Sequence, residues 1–263
     1  PLFNADRNLN QDQTNRFQGS INLIIEPVKW LSMRATLGTD RYTQSGITVE
    51  HPESNAGLTA NGQIESYISI NRLDNANFTA RANKKVGKLG ASLLIGTQIV
   101  SNRSDVNSIR GQKFFDPDFY SINNTDQTTH RAKNSIVRKH LIGVFAQAEI
   151  NYDELVYITA TGRNDWTSTL PPENRSYFFP SMGLSFLASK LIPANNVLTY
   201  LKLRASYAEV AKDAPPHRIG SILEPRLTTG GGYSYGFFGG NPGLKPEYVV
   251  AREVGFEARF FKD

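Results

Sequence analysis

NPGLKPEYVVAREVGFEARFF, residues 241–261, joins two kinds of sequence in one stretch. Its first half is turn-forming: Pro242 and Pro246 fix φ and lack an N–H donor, and Gly243 adds conformational freedom. Its second half alternates. Val250, Val254, Phe256, Ala258 and Phe260 fall on one face, and Glu253, Gly255, Glu257 and Arg259 on the other. A period of two with charge on the non-apolar side describes a strand between an oily medium and water. The stretch ends on an aromatic pair, Phe260 and Phe261, followed by Lys262 and Asp263. It reads as one stave of a transmembrane β-barrel.

Working outward, the same alternation recurs. Residues 16–26 set Phe17, Gly19, Ile21, Leu23 and Ile25 against Gln18, Ser20, Asn22 and Glu26. Residues 30–42 set Leu31, Met33, Ala35 and Leu37 against Ser32, Arg34, Thr36 and Asp40. Further strands are expected over 66–86, 89–102, 137–151, 155–166, 177–188 and 200–210, about nine in all with the opening stretch. The cleanest is 137–151, with Ile142, Val144, Ala146, Ala148 and Ile150 on one side.

The connections alternate in length. Residues 26–29, 87–88 and 152–154 are tight turns, and 189–199 is of medium length. Residues 43–63, 103–136, 167–176 and 211–240 read as longer polar connections. Up-and-down membrane barrels keep short turns on the periplasmic side and long loops outside. Trp30, Tyr152, Tyr200, Phe260 and Phe261 sit at short-turn ends, and Tyr42, Trp166, Tyr177, Phe178 and Phe179 at long-loop ends, as two aromatic girdles would; the plainer alternative is that aromatics favour strands.

Composition agrees. The 263 residues have a mean hydropathy of −0.39, and they hold no apolar run of the ~18 residues that a transmembrane helix needs. A membrane strand needs only every second residue to be apolar. There is no cysteine, and the net charge of +5 is spread along the chain, which gives no footprint for nucleic acid. An odd number of strands leaves both edges unpaired. The chain begins at Pro1 and stops just after a strand. It is expected to be a piece of one β-barrel domain in a longer protein, not a closed barrel.

Several segments resemble the barrel of TonB-dependent outer-membrane receptors, in particular the SusC/RagA-like nutrient importers of Bacteroidetes. They are YITATGRND at 157–165, FFPS at 178–181, KLRASY at 202–207 and NPGLKPE at 241–247, with EPVKWLSMRATLG at 26–38 similar in style. The motif residues Asn241, Pro242, Leu244, Lys245, Pro246 and Glu247 are shared across the superfamily. The order of the other segments points to the SusC-like branch. Ala208 and Ala211 stand where such proteins usually carry glycines. The resemblance implies an antiparallel up-and-down barrel of roughly 22 strands with a plugged lumen, in a Gram-negative outer membrane. It further implies TonB-driven import of a glycan or peptide, and a SusD-like surface lipoprotein over the mouth. The plug and terminal strands would lie outside residues 1–263.

The residues themselves speak against catalysis. His51, His130, His140 and His217 are scattered with no metal spacing, and no nucleophile elbow, phosphate loop or dinucleotide fingerprint occurs. No cofactor is expected. Asp165, Glu149 and Glu257, interleaved with Arg163, Arg204 and Arg259, read as a solvated charge ladder. Asp105, Asp116 and Asp118 read as turn chemistry rather than a calcium site. The basic run 130–140 reads first as a solvated loop; on a barrel, the phosphates of outer-leaflet lipid and lipopolysaccharide are nearer partners for it than nucleic acid. For a ligand or partner the best stretch is GGGYSYGFFGG, 230–240, where Tyr233, Tyr235, Phe237 and Phe238 offer flat faces to sugar rings or a capping protein. Its alternative is a loop that packs its own aromatics. Trp166, in its own loop, is a lesser candidate. The rival function is a soluble or surface β-sandwich, adhesin-like, which would bury the apolar rows against a second sheet.

Overall fold

The computed structural model describes residues 7–192, 197–225, 232–237 and 239–261. Eleven strands are present among them. They are β1 (Leu9–Val28), β2 (Leu31–Glu50), β3 (Gln63–Val86), β4 (Leu89–Phe114), β5 (Thr125–Tyr152), β6 (Val156–Thr167), β7 (Ser176–Phe186), β8 (Leu198–Lys212), β9 (Leu223–Pro225), β10 (Tyr233–Tyr235) and β11 (Glu247–Phe260). Nine form one sheet in the order β1-β2-β3-β4-β5-β6-β7-β8-β11, and β9 and β10 form a separate pair. Each strand of the large sheet lies beside its sequence neighbour, with β9 and β10 set aside as an excursion between β8 and β11. This is the up-and-down topology expected from the alternation.

The register shows why the faces hold. Ile150 pairs with Ile158, Ile158 with Leu184, Leu184 with Ala205 and Ala205 with Val254, so one apolar row crosses five strands. Next to it Phe186 pairs with Leu203 and Leu203 with Phe256. On the other face Gly143 pairs with Asp165, Asp165 with Tyr177 and Glu257 with Lys202. Arg163 donates to Asp165 at 2.7 Å and to Gln98 at 2.8 Å, and Arg259 to Glu257 at 3.2 Å, so two pairs of the expected charge ladder are present, although Asp165 is buried rather than solvated. Val254 is 90% exposed and Phe256 75%. The apolar rows stand exposed, and among the described residues no second sheet covers them, which speaks against the sandwich reading.

Tight turns join the strands at one set of ends. Gly87, at φ 57°, turns β3 into β4, and Asp153 and Glu154, at φ 53° and 52°, turn β5 into β6. Lys88 Nζ lies 2.8 Å from Asp153 and Lys190 Nζ 3.2 Å from Glu154, so neighbouring turns are tied by charge. The Lys88 ammonium holds Asp153 below the usual carboxylate range.

Two compact units appear. One comprises the chain up to Ser20, Gly38–Asp74 and Ser101–Arg138. Its core is small: Val49, Ile64 and Phe114, with Ile47, Tyr120 and Ile122 packed against them. Gly62 has φ 83°, and a Cβ there would stand 2.2 Å from the Phe114 ring, so only glycine fits. Asn124 donates to the carbonyls of Asp116 and Phe119, both at 2.6 Å, and Asp116 accepts from Asp118 N at 3.0 Å, so Asp116 serves a turn as expected, whereas the Asp118 carboxylate pairs with Arg7 and Asp105 lies within β4 and pairs with Arg103 at 2.7 Å. The other unit comprises Ile21–Leu37, Asn75–Val100 and Lys139–Asp263.

Three expectations are corrected. Residues 43–63 and 103–136 are mainly strand: only 51–62 and 115–124 connect, and the basic run 130–140 lies within β5 rather than in a loop. A polar segment still pairs through its backbone, and without an apolar face it carries no alternation to read. Trp166 likewise lies in β6, opposite Ile142 on the apolar face, not in a loop. Of the outer girdle, Tyr42 lies under Arg16, 5.8 Å from the guanidinium, and Tyr177 is buried. Both point to the polar side, because position along the chain does not fix the face. Through Ala208 and Ala211, β8 keeps an unbroken register with β11, so no bulge interrupts the pairing at these alanines.

Candidate functional site

The excursion between β8 and β11 begins at Asp213, directly after the last residue of β8. The Asp213 carboxylate accepts from Lys139 Nζ at 2.6 Å, Thr167 Oγ1 at 2.6 Å and Thr169 Oγ1 at 3.0 Å. Its side chain is only 9% exposed. Burial pushes its pKa up, but the hydrogen bonds from Lys139 and the two threonines outweigh this and hold it below the ordinary value. Thr167, Thr169 and Leu170 are buried around it. One carboxylate thus clamps the departing chain to β5 and to the β6–β7 connection.

The excursion closes on a second clamp. Gly236 N donates to Ile222 O at 3.3 Å, and Asn241 N to Arg218 O at 2.9 Å, while Gly240 N donates to Ser221 Oγ at 3.0 Å. A Cβ on Gly240 would stand 2.2 Å from the carbonyl carbon of Gly220, so the two legs approach closely enough to demand glycine. Asn241 Oδ1 accepts from Gly243 N at 3.0 Å, Leu244 N donates to Asn241 O at 3.2 Å, and Asn174 Nδ2 donates to Leu244 O at 3.0 Å. Glu247 then pairs with Lys212 as β11 begins. Asn241, Pro242, Leu244, Lys245, Pro246 and Glu247 therefore build the re-entry turn, with Leu244 and Pro246 half-buried and the others exposed.

Between the clamps, β9 and β10 pair with Tyr233 opposite Pro225 and Tyr235 opposite Leu223. Tyr233 and Tyr235, two residues apart, share a face of β10, and each is 74% exposed; Phe237 just beyond is 93% exposed. Phe238 lies outside the described residues. The structure brings Tyr233 and Tyr235 onto β10, with Phe237 two residues beyond, and places Trp166 in β6 of the main sheet. Flat rings presented from an anchored base suit stacking on a sugar ring, a peptide side chain or another protein. Nothing about the hairpin supplies a nucleophile with its base, and no cluster of His, Asp and Glu fit to hold a metal occurs among the described residues.

The clamp at Asp213 was invisible to sequence reading. Its only trace is an aspartate between a strand and Pro215–Pro216, with its lysine seventy-odd residues earlier in a run that read as surface charge.

Three comparisons bear on this architecture. The family model described as TonB dependent receptor-like, beta-barrel, matches residues 1–263. A TonB-dependent receptor of Formosa agariphila is 25% identical over 99% of the chain, which spans 28% of that protein. The RagAB peptide transporter superposes with a TM-score of 0.87 at 19% identity, over 99% of this chain and 30% of that one. The siderophore receptor PiuA of Acinetobacter baumannii gives 0.54 at 12% identity, over 95% and 38%.

Proposed function

This chain belongs to the TonB-dependent receptor β-barrel family, a family of outer-membrane receptors rather than enzymes, and from that premise we propose that it forms part of the wall of an outer-membrane importer. The observation that carries this reading is the exposed apolar row Ile150, Ile158, Leu184, Ala205, Val254 backed by a charged face. Lipid would cover the first face and water in the lumen would wet the second. The wall does no bond chemistry. A plug and further strands, outside residues 1–263, would complete the barrel and couple it to TonB.

The substrate is an oligosaccharide or a peptide, and a SusD-like surface lipoprotein caps the mouth. Tyr233, Tyr235 and Phe237 would meet the substrate or that lipoprotein. The fold likeness to the RagAB peptide transporter supports this class of importer, and the anchored hairpin supports the assignment of the contact.

The test changes Tyr233, Tyr235 and Phe237 together to Ala in the full-length receptor. Outer-membrane assembly is expected to stay unchanged, while uptake of oligosaccharide or peptide, or co-purification of the lipoprotein, falls at least about tenfold, as three lost stacking faces imply. Wild-type uptake and wild-type capture of the lipoprotein in the triple variant would refute the assignment.

A further inference from the structure

Phe145, Arg163 and Phe179 form one row across three strands of the polar face, and no part of the import reading uses them. Phe145 pairs with Arg163 and Arg163 with Phe179. In the adjacent row Gly143 pairs with Asp165 and Asp165 with Tyr177. All of these residues, with Gly96 and Gln98 of β4, belong to one compact unit. Two glycines make room for the row. A Cβ on Gly96 would stand 2.4 Å from Phe145 Cζ, and a Cβ on Gly143 would stand 2.4 Å from Arg163 Nη2. The ring therefore reaches over β4 and the guanidinium over β5, each in space that any larger residue would fill.

The row is held in place on all sides. Arg163 donates from Nε to Asp165 at 2.7 Å and from Nη2 to Gln98 at 2.8 Å, and its guanidinium carbon lies 5.7 Å from the centre of the Phe145 ring. Phe179 stacks on Tyr177, with ring centres 6.1 Å apart and planes at 25°, and Tyr177 is buried. The charge is balanced as well: Arg163 is matched by Asp165, with side chains 23% and 9% exposed. Two bonds leave the rest of the guanidinium fork able to donate. Past this shelf the wall steps back. The next row holds Thr161 opposite Ser181 and Ser181 opposite Ala208. The row after it holds Gly183, where a Cβ would meet nothing within 4 Å.

We propose that this shelf and the recess beside it bind a ring of an uncharged oligosaccharide on the wall of the lumen. The proposal rests on the import reading above and narrows its substrate to a neutral glycan. The apolar face of a sugar ring fits the Phe145 and Phe179 rings, and its hydroxyls fit the remaining guanidinium donors and the Thr161 and Ser181 hydroxyls. A carboxylate on the ligand would compete with Asp165 for Arg163 and leave one anion unpaired in a place almost out of water. That disfavours acidic glycans and acidic peptides. A peptide lying along the shelf would set its backbone N–H groups against the guanidinium donors, whereas a sugar hydroxyl accepts from the guanidinium and donates to Thr161 or Ser181 in turn.

The experiment uses the full-length receptor, purified from the outer membrane in mild detergent. It is incubated with an equimolar mixture of neutral hexasaccharides (cello-, malto-, xylo- and mannohexaose), hexagalacturonate and alanine-rich hexapeptides, and native mass spectrometry counts what stays bound. Wild-type receptor should retain a neutral hexasaccharide over hexagalacturonate and the peptides, and this arm decides the matter even if a variant fails to assemble. Phe179→Leu keeps apolar volume but loses the flat ring, and Gly143→Ala drives the Arg163 guanidinium off its seat. Each should reduce the retained hexasaccharide about fivefold, as loss of one ring contact implies. Glu257→Gln, farther along the same face and opposite Lys202, should change nothing. Preferred retention of hexagalacturonate or the peptides, retention of no probe, unchanged retention in either shelf variant, or equal loss in Glu257→Gln overturns the proposal. A loss seen only when Tyr233, Tyr235 and Phe237 are changed to Ala sinks the shelf and leaves the import reading standing, whereas absence of the receptor from the outer-membrane fraction sinks the import reading itself.

Discussion

Asp213 shows how one side chain can set the position of a long connection. Its carboxylate is nearly out of water, a state tolerated only because Lys139, Thr167 and Thr169 satisfy both oxygens. A folded pKa held below the ordinary value means that the clamp's contribution is complete above the usual carboxylate pKa of about 4 and is lost as pH falls through the lower, folded one. Between pH 7 and pH 5 the anchoring of residues 213–246 should therefore not change. Below about pH 4, cleavage of this connection by an acid-active protease should accelerate. Asp213→Asn keeps the shape but accepts less well and leaves Lys139 without a counter-charge. It should cost about 1–3 kcal/mol of local stability, seen as faster cleavage at pH 7 and a flat pH profile below it. A variant that retains the acid-dependent step would show that another group controls it.

At the scale of elements, what sequence could show depended on whether a strand has an apolar face. The strands of residues 137–151 and 250–260 were legible because every second side chain meets a different medium, and the observed register keeps those sets together. The far halves of β2, β4 and β5 were not legible. Thr43, Gln44 and Ser45, or Asn134 and Ser135, have polar neighbours on both faces, so pairing there is visible only through backbone hydrogen bonds. The same reasoning makes face the variable to test. Val144 and Gln147 are close together on β5 and point to opposite faces, Val144 with Asn164 and Gln147 with Thr161 as partners. Val144→Arg should cost ~2–4 kcal/mol near a bilayer midplane and reduce the heat-modifiable, folded band from outer membranes. Gln147→Arg should leave that band at wild-type intensity. Equal loss from both would mean that no hydrocarbon lies against Val144.

Across the whole molecule, strand length and edges carry the remaining argument. β5 has 28 residues and β4 26, against 12 for β6 and 11 for β7. About 9–11 residues suffice for a tilted strand to cross a bilayer, so β6 and β7 are near the minimum and β4 and β5 hold more than twice it. The surplus builds the unit around Val49, Ile64 and Phe114, which has its own small core and its own buried polar network. The sheet itself runs from β1 to β11, and those two strands do not pair with each other. In hydrocarbon an unpaired strand edge leaves a row of N–H and C=O groups without partners, each costing several kcal/mol. In water the same edges, flanked by bare rows such as Leu184, Ala205 and Val254, invite edge-to-edge pairing. Residues 1–263 expressed alone should therefore form neither a soluble monomer nor a heat-modifiable barrel in detergent, whereas the full-length receptor should give a discrete folded band. Size-exclusion chromatography with light scattering reads the difference: a sharp, stable monomer of the isolated chain in plain buffer would contradict both the open edges and the lipid-covered face.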